Sequence, residues 1–446
     1  MNNIIRYSTA GFLLCTPLLA AALELNVSPG TLAGALTGNT DTELRLTGSI
    51  DVRDLIALAE NPGAVTALDL SDVNIEAYTY HRPLWQGHTW FPAGELPEYI
   101  FMGAPFVELK LPATLTVLGE GALAASALES LTLPASLRQV GEFALYSCTS
   151  LRNVDMSASH ISELPAAMFK GCGLLNEISL PSVLRSVGSE VFTGTSLRHL
   201  ELSGVSYFAD FALSGMEHLE SVVFDSHADF GRGVLMGAVR LERLEGAPSD
   251  VPDLFTAHCT ALDADAVVSG ATVLGDCCVA SAGGVRLHLA DDLSEVGAHV
   301  FDGMRHLKDI DATTLGSRIP GAVSGAFDGI DCSSISLIVG DDYQDLWRAD
   351  EQWGRFNICT VSGVDRVVAE ESSIRLTMQS DCLTVYCAEG IDEVTVYSAE
   401  GLCLYTASPG GAAEVTVDCS AFDSSILVAG AHGGKQCVSR KFLVQK

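Results

Sequence analysis

The sequence predicts a repeat solenoid of short strands, turns and short helices, followed by a small all-β sandwich. Three observations point there. Apolar residues recur with steps of 21 to 24 residues between Phe106 and Leu307. Each step pairs an alternating apolar segment with a glycine-containing turn. From about Ser362 the period stops, and short alternating segments with glycine-rich turns take over.

The units open at Phe106, Leu128, Leu151, Leu175, Leu197, Leu219, Leu241, Leu262, about Gly284 and Leu307. Their first half reads LESLTL (128–133), LRNVDM (151–156), LNEISL (175–180), LRHLEL (197–202) and LESVVF (219–224). Such alternation makes a short strand with one buried face. The second half reads VGEFAL (140–145), VGSEVF (187–192) and VGAHVF (296–301), with LGEGAL (118–123) as a looser copy. The glycine is expected to permit a tight bend, and the apolar residues four and five after the valine are expected to point into the core. One unit cannot bury its own apolar face, but a stack buries a continuous core. The units at Leu241 and Leu262, LERLEG and LDADAV, lack apolar strand positions and are expected to be irregular.

Upstream, ELRLTG and VTALDLSDVNI read as strands around DVRDLIALAENPG (51–63). That segment predicts a short helix with Leu55, Ile56, Leu58 and Ala59 on one face and a Pro-Gly stop. Next comes YTYHRPLWQGHTWFP (78–92), a polar-aromatic insertion holding Tyr78, Tyr80, His81, Trp85, His88, Trp90 and Phe91. The remaining two of the four tryptophans, Trp347 and Trp353, lie in DDYQDLWRADEQWGRF (341–356), which predicts a cap over the last repeat.

The N-terminal 22 residues carry Arg6 and then an apolar run ending in Ala20-Ala21-Ala22, the features of a secretory signal peptide. Cys15 follows Leu14 rather than a small residue, which argues against a lipid anchor. No later run reaches the length of a membrane helix. The formal net charge of −31 sets aside nucleic acid and anionic lipid as partners. Of the 13 cysteines, six lie from Cys359 onward, where bridges are allowed in an exported chain.

The series Leu128, Leu131, Leu133, Pro134, Leu137, Val140, Gly141, Leu145, Cys148 and Leu151 resembles the BspA-like, Treponema-type leucine-rich repeat, and it continues over roughly 106–330. No asparagine follows the strand, so an asparagine ladder is not expected. Residues 30–75 look like the capping units of such arrays. The segments VTVYSAEGLCLY (394–405) and 430–444, with terminal Lys446, resemble the C-terminal sorting domain of type IX secretion substrates. The resulting organisation is a signal peptide (1–22), capping repeats with the insertion 78–92 (23–105), a repeat array closed by a cap at 341–361 (106–361), and a sorting or attachment sandwich (362–446).

The resemblance implies a protein on the outer face of a bacterial outer membrane, attached through its C-terminal module. Its expected role is adhesion, or binding of a host matrix protein, a cell-surface protein or a glycan, over an extended repeat face. Two other classes stay open: a structural or accessory surface protein without its own ligand, and a subunit of a surface hydrolase complex. The residues favour no enzyme and no cofactor. Cys148 and Cys172 repeat in register without a histidine, as buried core thiols would. The sequence has no H-E-x-x-H, G-x-S-x-G or phosphate-loop pattern, and no calcium loop in DLSDV (69–73), DADA (263–266) or GDDYQD (340–345). A metal shared by His81, His88 and Asp72 is the one cation arrangement to test; solvated loop histidines are the simpler account. The insertion 78–92 is the candidate ligand-binding segment because tryptophan and tyrosine give large contact area at low entropic cost. The alternative is that it folds down as a lid on the first repeats.

Overall fold

A computed structural model describes residues 22–360 continuously, and 374–379, 382–398, 403–410, 412–419, 426–433 and 436–443 of the remainder. The signal-peptide features lie outside the described residues. The chain divides into two compact units, one up to Ile358 and one from Cys359 onward.

In the first unit, most repeats add one rung to each of two parallel ladders, which are interrupted into three- and four-stranded sheets. The first sheet takes the alternating segment, so that Leu131 pairs with Val154 and Val154 with Ile178, and Leu200 pairs with Val222 and Val222 with Leu244. The second sheet takes two residues before the turn: Val117 pairs with Gln139, and Ser186 with Tyr207. The repeat step is therefore the register of the ladder. The inward leucines Leu128, Leu151, Leu175, Leu219 and Leu241 are fully buried, each a gain of about 1.5–3 kcal/mol. Phe169 stacks on Phe192 at 5.6 Å, and Phe208 on Phe230 at 5.1 Å.

The turn glycine is needed for another reason than the sequence suggests. Gly119, Gly141, Gly188, Gly231, Gly275 and Gly297 are not left-handed. Instead Gly141 donates its N–H to Leu118 O at 2.8 Å, and a Cβ there would stand 2.4 Å from the backbone N of Glu120. Close approach to the preceding rung, not bend freedom, excludes a side chain.

The bend lies two residues later. Tyr99, Gly121, Phe143, Ala167, Glu190, Phe211, Gly233, Leu254, Cys277 and His299 all have φ between 54° and 62°, except Ala167 at 53°. A second left-handed column follows four residues on, from Gly103 through Ser147 to Gly303. L-residues there cost about 1–2 kcal/mol each. Hydrogen bonds between rungs offset this: Phe143, Leu145 and Ser147 donate to Ala166 O, Met168 O and Lys170 O at 2.8–3.1 Å. The first column tends to alternate large with small, because a large side chain leans over the next rung. A Cβ on Gly121 would lie 2.4 Å from the Tyr99 ring, and one on Gly233 2.5 Å from Phe211.

The helix predicted over 51–63 forms as α2 (Val52–Glu60), and a short α1 (Leu32–Leu36), which the sequence did not suggest, precedes it. Asp51 caps α2, with Asp54 completing a capping box. The buried Asp54 also accepts the N–H groups of Gly30 and Leu32 at 2.6 and 2.9 Å, tying the entry segment to the helix. Leu55 and Leu58 are fully buried, and Ile56 and Ala59 pack against the core. The two weak units differ. The Leu241 unit still forms the strand Arg243–Glu245, paired with the rung before it. The Leu262 unit gives up its strand for α3 (Asp265–Val268), with Val267 and Val268 taking the buried positions. At the far end Gln344–Arg348 forms α4, and Trp347 and Trp353 are fully buried.

The second unit is a β-sandwich of two antiparallel sheets. One holds Ile374–Gln379, Cys382–Ile391 and Ala412–Asp418; the other holds Glu393–Ser398, Cys403–Ala407, Ile426–Gly433 and Gln436–Leu443. Leu383, Val385, Ile391, Val394, Val396, Val417 and Ala431 form its core. Among the described residues, no helix is long and apolar enough to cross a membrane.

Candidate binding surface

The insertion is a small hairpin. Tyr78 pairs with Phe91 and Thr79 with Trp90 in antiparallel register. Trp85 and His88 bridge across Gln86-Gly87, both left-handed at φ 46° and 87°. Two such central residues define a turn whose twist matches the strands. Strand alternation then sorts the side chains.

Phe91 is buried. Tyr78 lies under the Arg53 guanidinium at 4.4 Å, and the Tyr78 and Tyr80 rings stack at 6.2 Å. Trp85 is half-buried against the core and donates its indole N–H to Glu98 O at 2.7 Å. His88 Nε2 meets Glu98 Oε1 at 2.9 Å. Burial pushes the neighbouring Glu95 carboxyl up, with His88 opposing. Trp90 stays 56% exposed and Tyr80 40% exposed, and His81 is exposed. The hairpin is therefore seated like a lid by Tyr78, Trp85, His88 and Phe91, and it presents Tyr80 and Trp90 to solvent.

The metal arrangement does not assemble. Asp72 pairs with Arg45 at 2.5 Å and His88 with Glu98, and among the described residues no three such ligands converge. Cys148 and Cys172 are fully buried and donate to Leu123 O and Leu145 O, each at 3.1 Å. Their column continues as Thr195, whose hydroxyl donates to Phe192 O, and as Cys259, whose thiol burial pushes up to about 12. Contact with Cys148, together with burial, holds Cys172 as a thiol. A cleft of about 260 Å³ beside the first strands is lined by Glu43, Arg45, Asp69, Glu108 and Lys110. Its charges are largely paired already, Lys110 with Asp69 at 2.9 Å and Arg45 with Asp72.

One ladder was not legible in the sequence. Asp210, Asp253 and Asp276 each accept the backbone N–H of the next rung, from Arg232, Asp276 and Ala298, at 2.7–3.0 Å. Aspartates on the turn thus bridge rungs, at a position that Glu98, Glu120 and Glu142 occupy elsewhere. The irregular spelling of that column hides it.

Residues 94–229 match the model of the BspA type leucine rich repeat region in six copies. The match lies within the regular rungs and stops before the weak units at Leu241 and Leu262. Solved structures similar to the chain include a leucine-rich repeat protein from Bacteroides ovatus, at 15% identity and TM-score 0.48 over 81% of this chain and 99% of that one. Another is the pneumococcal vaccine antigen PcpA, at 13% identity and TM-score 0.36 over 76% and 82%. A third is a leucine rich cell surface protein from Faecalibacterium prausnitzii, at 15% identity and TM-score 0.27 over 61% and 89%. No curated protein matches the chain. The first unit is a solenoid of stacked repeats, and its residues 94–229 match that repeat model.

Proposed function

We propose that this chain is an exported bacterial cell-surface protein that binds a protein or glycan through the insertion hairpin and the repeat surface beside it. One observation carries the reading: Trp90 stands exposed on a hairpin whose other aromatics are fixed by packing and hydrogen bonds. A rigid exposed indole loses little entropy on binding, which is the property of an interaction anchor. The stacked column Arg53–Tyr78–Tyr80 holds a second exposed aromatic on the other face of the hairpin. The repeat array gives an extended surface, which suits a macromolecule.

Export rests on the signal-peptide features of residues 1–22, and surface attachment on the resemblance of 362–446 to a sorting domain. In this reading 23–105 caps the array and carries the hairpin, and 106–361 is the scaffold. The test is an array of matrix proteins and glycans probed with the chain and with Trp90→Ala/Tyr80→Ala. The double variant is expected to lose about tenfold or more in affinity with its unfolding midpoint unchanged. Equal binding by both proteins would remove the hairpin from the interface.

A further inference from the structure

We propose that the N-terminal end of the turn ridge is a second interaction surface, and that its partner is a basic protein segment rich in lysine or arginine. The ridge is the line of left-handed turn residues, distinct from the hairpin's exposed face although it starts beside Glu98. On its first three rungs it carries Tyr99, Met102, Phe143 and Tyr146. Met102 is 60% exposed, Phe143 37% and Tyr146 38%. Left-handed backbone at Phe143 turns its ring outward, where it meets Tyr146 edge-on at 5.9 Å. Glu98, Glu120 and Glu142 precede the bend, one per rung, at a spacing of about 4.8 Å.

The same ridge shows farther along what such groups take up. Arg232 lies over the Phe211 ring at 5.5 Å, and Lys170 Nζ meets Glu190 Oε2 at 2.8 Å. There the chain supplies its own cations to an aromatic ring and to a carboxylate. On the first three rungs it does not. Glu98 is engaged by His88 and Glu120 by the Tyr99 hydroxyl. Among the described residues, Glu142 forms no ion pair, and no cation covers Phe143 or Tyr146. A lysine or arginine placed over Phe143 beside Glu142 would gain both a cation–π contact and an ion pair. Met102, two rungs away, offers apolar surface to a neighbouring residue of such a segment. The net charge of −31 adds long-range attraction for a basic partner and repels acidic ones.

The test uses the full chain and a short fluorescent peptide alternating lysine and leucine, with a glutamate-leucine peptide as the acidic control. Phe143→Ala/Tyr146→Ala and Glu120→Gln/Glu142→Gln are each expected to weaken lysine-peptide binding about tenfold, while Glu217→Gln/Asp292→Asn, which removes the same charge from exposed sites elsewhere, changes it less than about twofold. Thermal unfolding confirms that each variant is folded. Trp90→Ala is expected to leave this binding unchanged, which separates the ridge from the hairpin. Equal weakening by the control pair would assign the binding to diffuse charge and overturn the proposal. Loss on Trp90→Ala would assign the peptide to the hairpin and overturn it equally, as would no binding at all.

Discussion

The two aromatic segments of the first unit start from the same signal, a pair of tryptophans in a polar stretch, and end in opposite states. In the C-terminal pair both rings are fully buried, 5.5 Å apart and edge-on. Their indole N–H groups donate to Gly316 O and Pro320 O at 3.0 and 2.9 Å. In the insertion, Trp85 makes one such bond to Glu98 O, and Trp90 lies in solvent. The difference is positional. The last rung has no successor, so its apolar edge must be covered and the cap supplies the cover. The insertion lies beside rungs already closed by their neighbours, so its second tryptophan has no vacancy to fill. Aromatic content marks a special segment, and its place in the stack decides between cap and contact surface.

That contrast can be broken by mutation. Trp353→Ala is expected to cost about 3–5 kcal/mol, measured by chemical denaturation, because it empties the cap beneath Phe327 and Phe356. A loss below about 1 kcal/mol would mean the cap is dispensable. Next in size is Gly141→Ala in the scaffold between the two segments. The new methyl must push against the Glu120 backbone, at an expected cost of about 1–3 kcal/mol in the same assay. An alanine as stable as the glycine would refute the close-approach account. Trp85→Ala removes a half-buried ring and one hydrogen bond and is expected to cost about 1–2 kcal/mol. Trp90→Ala is expected to stay within about 0.5 kcal/mol. In acrylamide quenching, the fluorescence lost on Trp90→Ala should be the most accessible component; if the quenchable fraction persists, the exposed indole is elsewhere.

One further effect depends on pH. Burial pushes the Asp69 carboxyl up, but hydrogen bonds from Ser71 and Lys110 outweigh it and hold it below its ordinary value. A lowered carboxylate stabilises the fold at neutral pH, and the contribution disappears as pH falls through the lowered value, below about 4. Asp69→Asn should therefore cost up to about 1 kcal/mol at pH 7 and progressively less toward pH 3. A cost independent of pH would exclude the ionic part.

Much of the first unit was legible in the sequence because its physics is local and repeated. The leucine period is the ladder register, Leu55 and Leu58 mark the inner face of α2, and the buried thiols Cys148 and Cys172 follow from their place in the repeat. The rest depends on neighbours. Nothing in Phe143, Glu190 or Leu254 announces a left-handed backbone, since residues of these types avoid it in isolation. They adopt it because the next rung's carbonyls are fixed where their N–H groups must point. Gly141 was visible as a constant, but its reason lies in the Glu120 backbone one rung away. LDADAV marked an irregular unit without saying that a helix would replace the strand, and LERLEG marked one whose strand still forms, because its partner rung templates it.

The solenoid, its rung spacing, its apolar column and the positions of the aromatic segments are written along the chain. Those properties follow from side-chain periodicity, which repeats along the chain. Stacking settles which tryptophans are covered, which glycines are indispensable, and which carboxylates and rings meet no cation among the described residues. Each of those depends on atoms about 20 residues away that stacking brings to within about 5 Å, and no single rung contains the information.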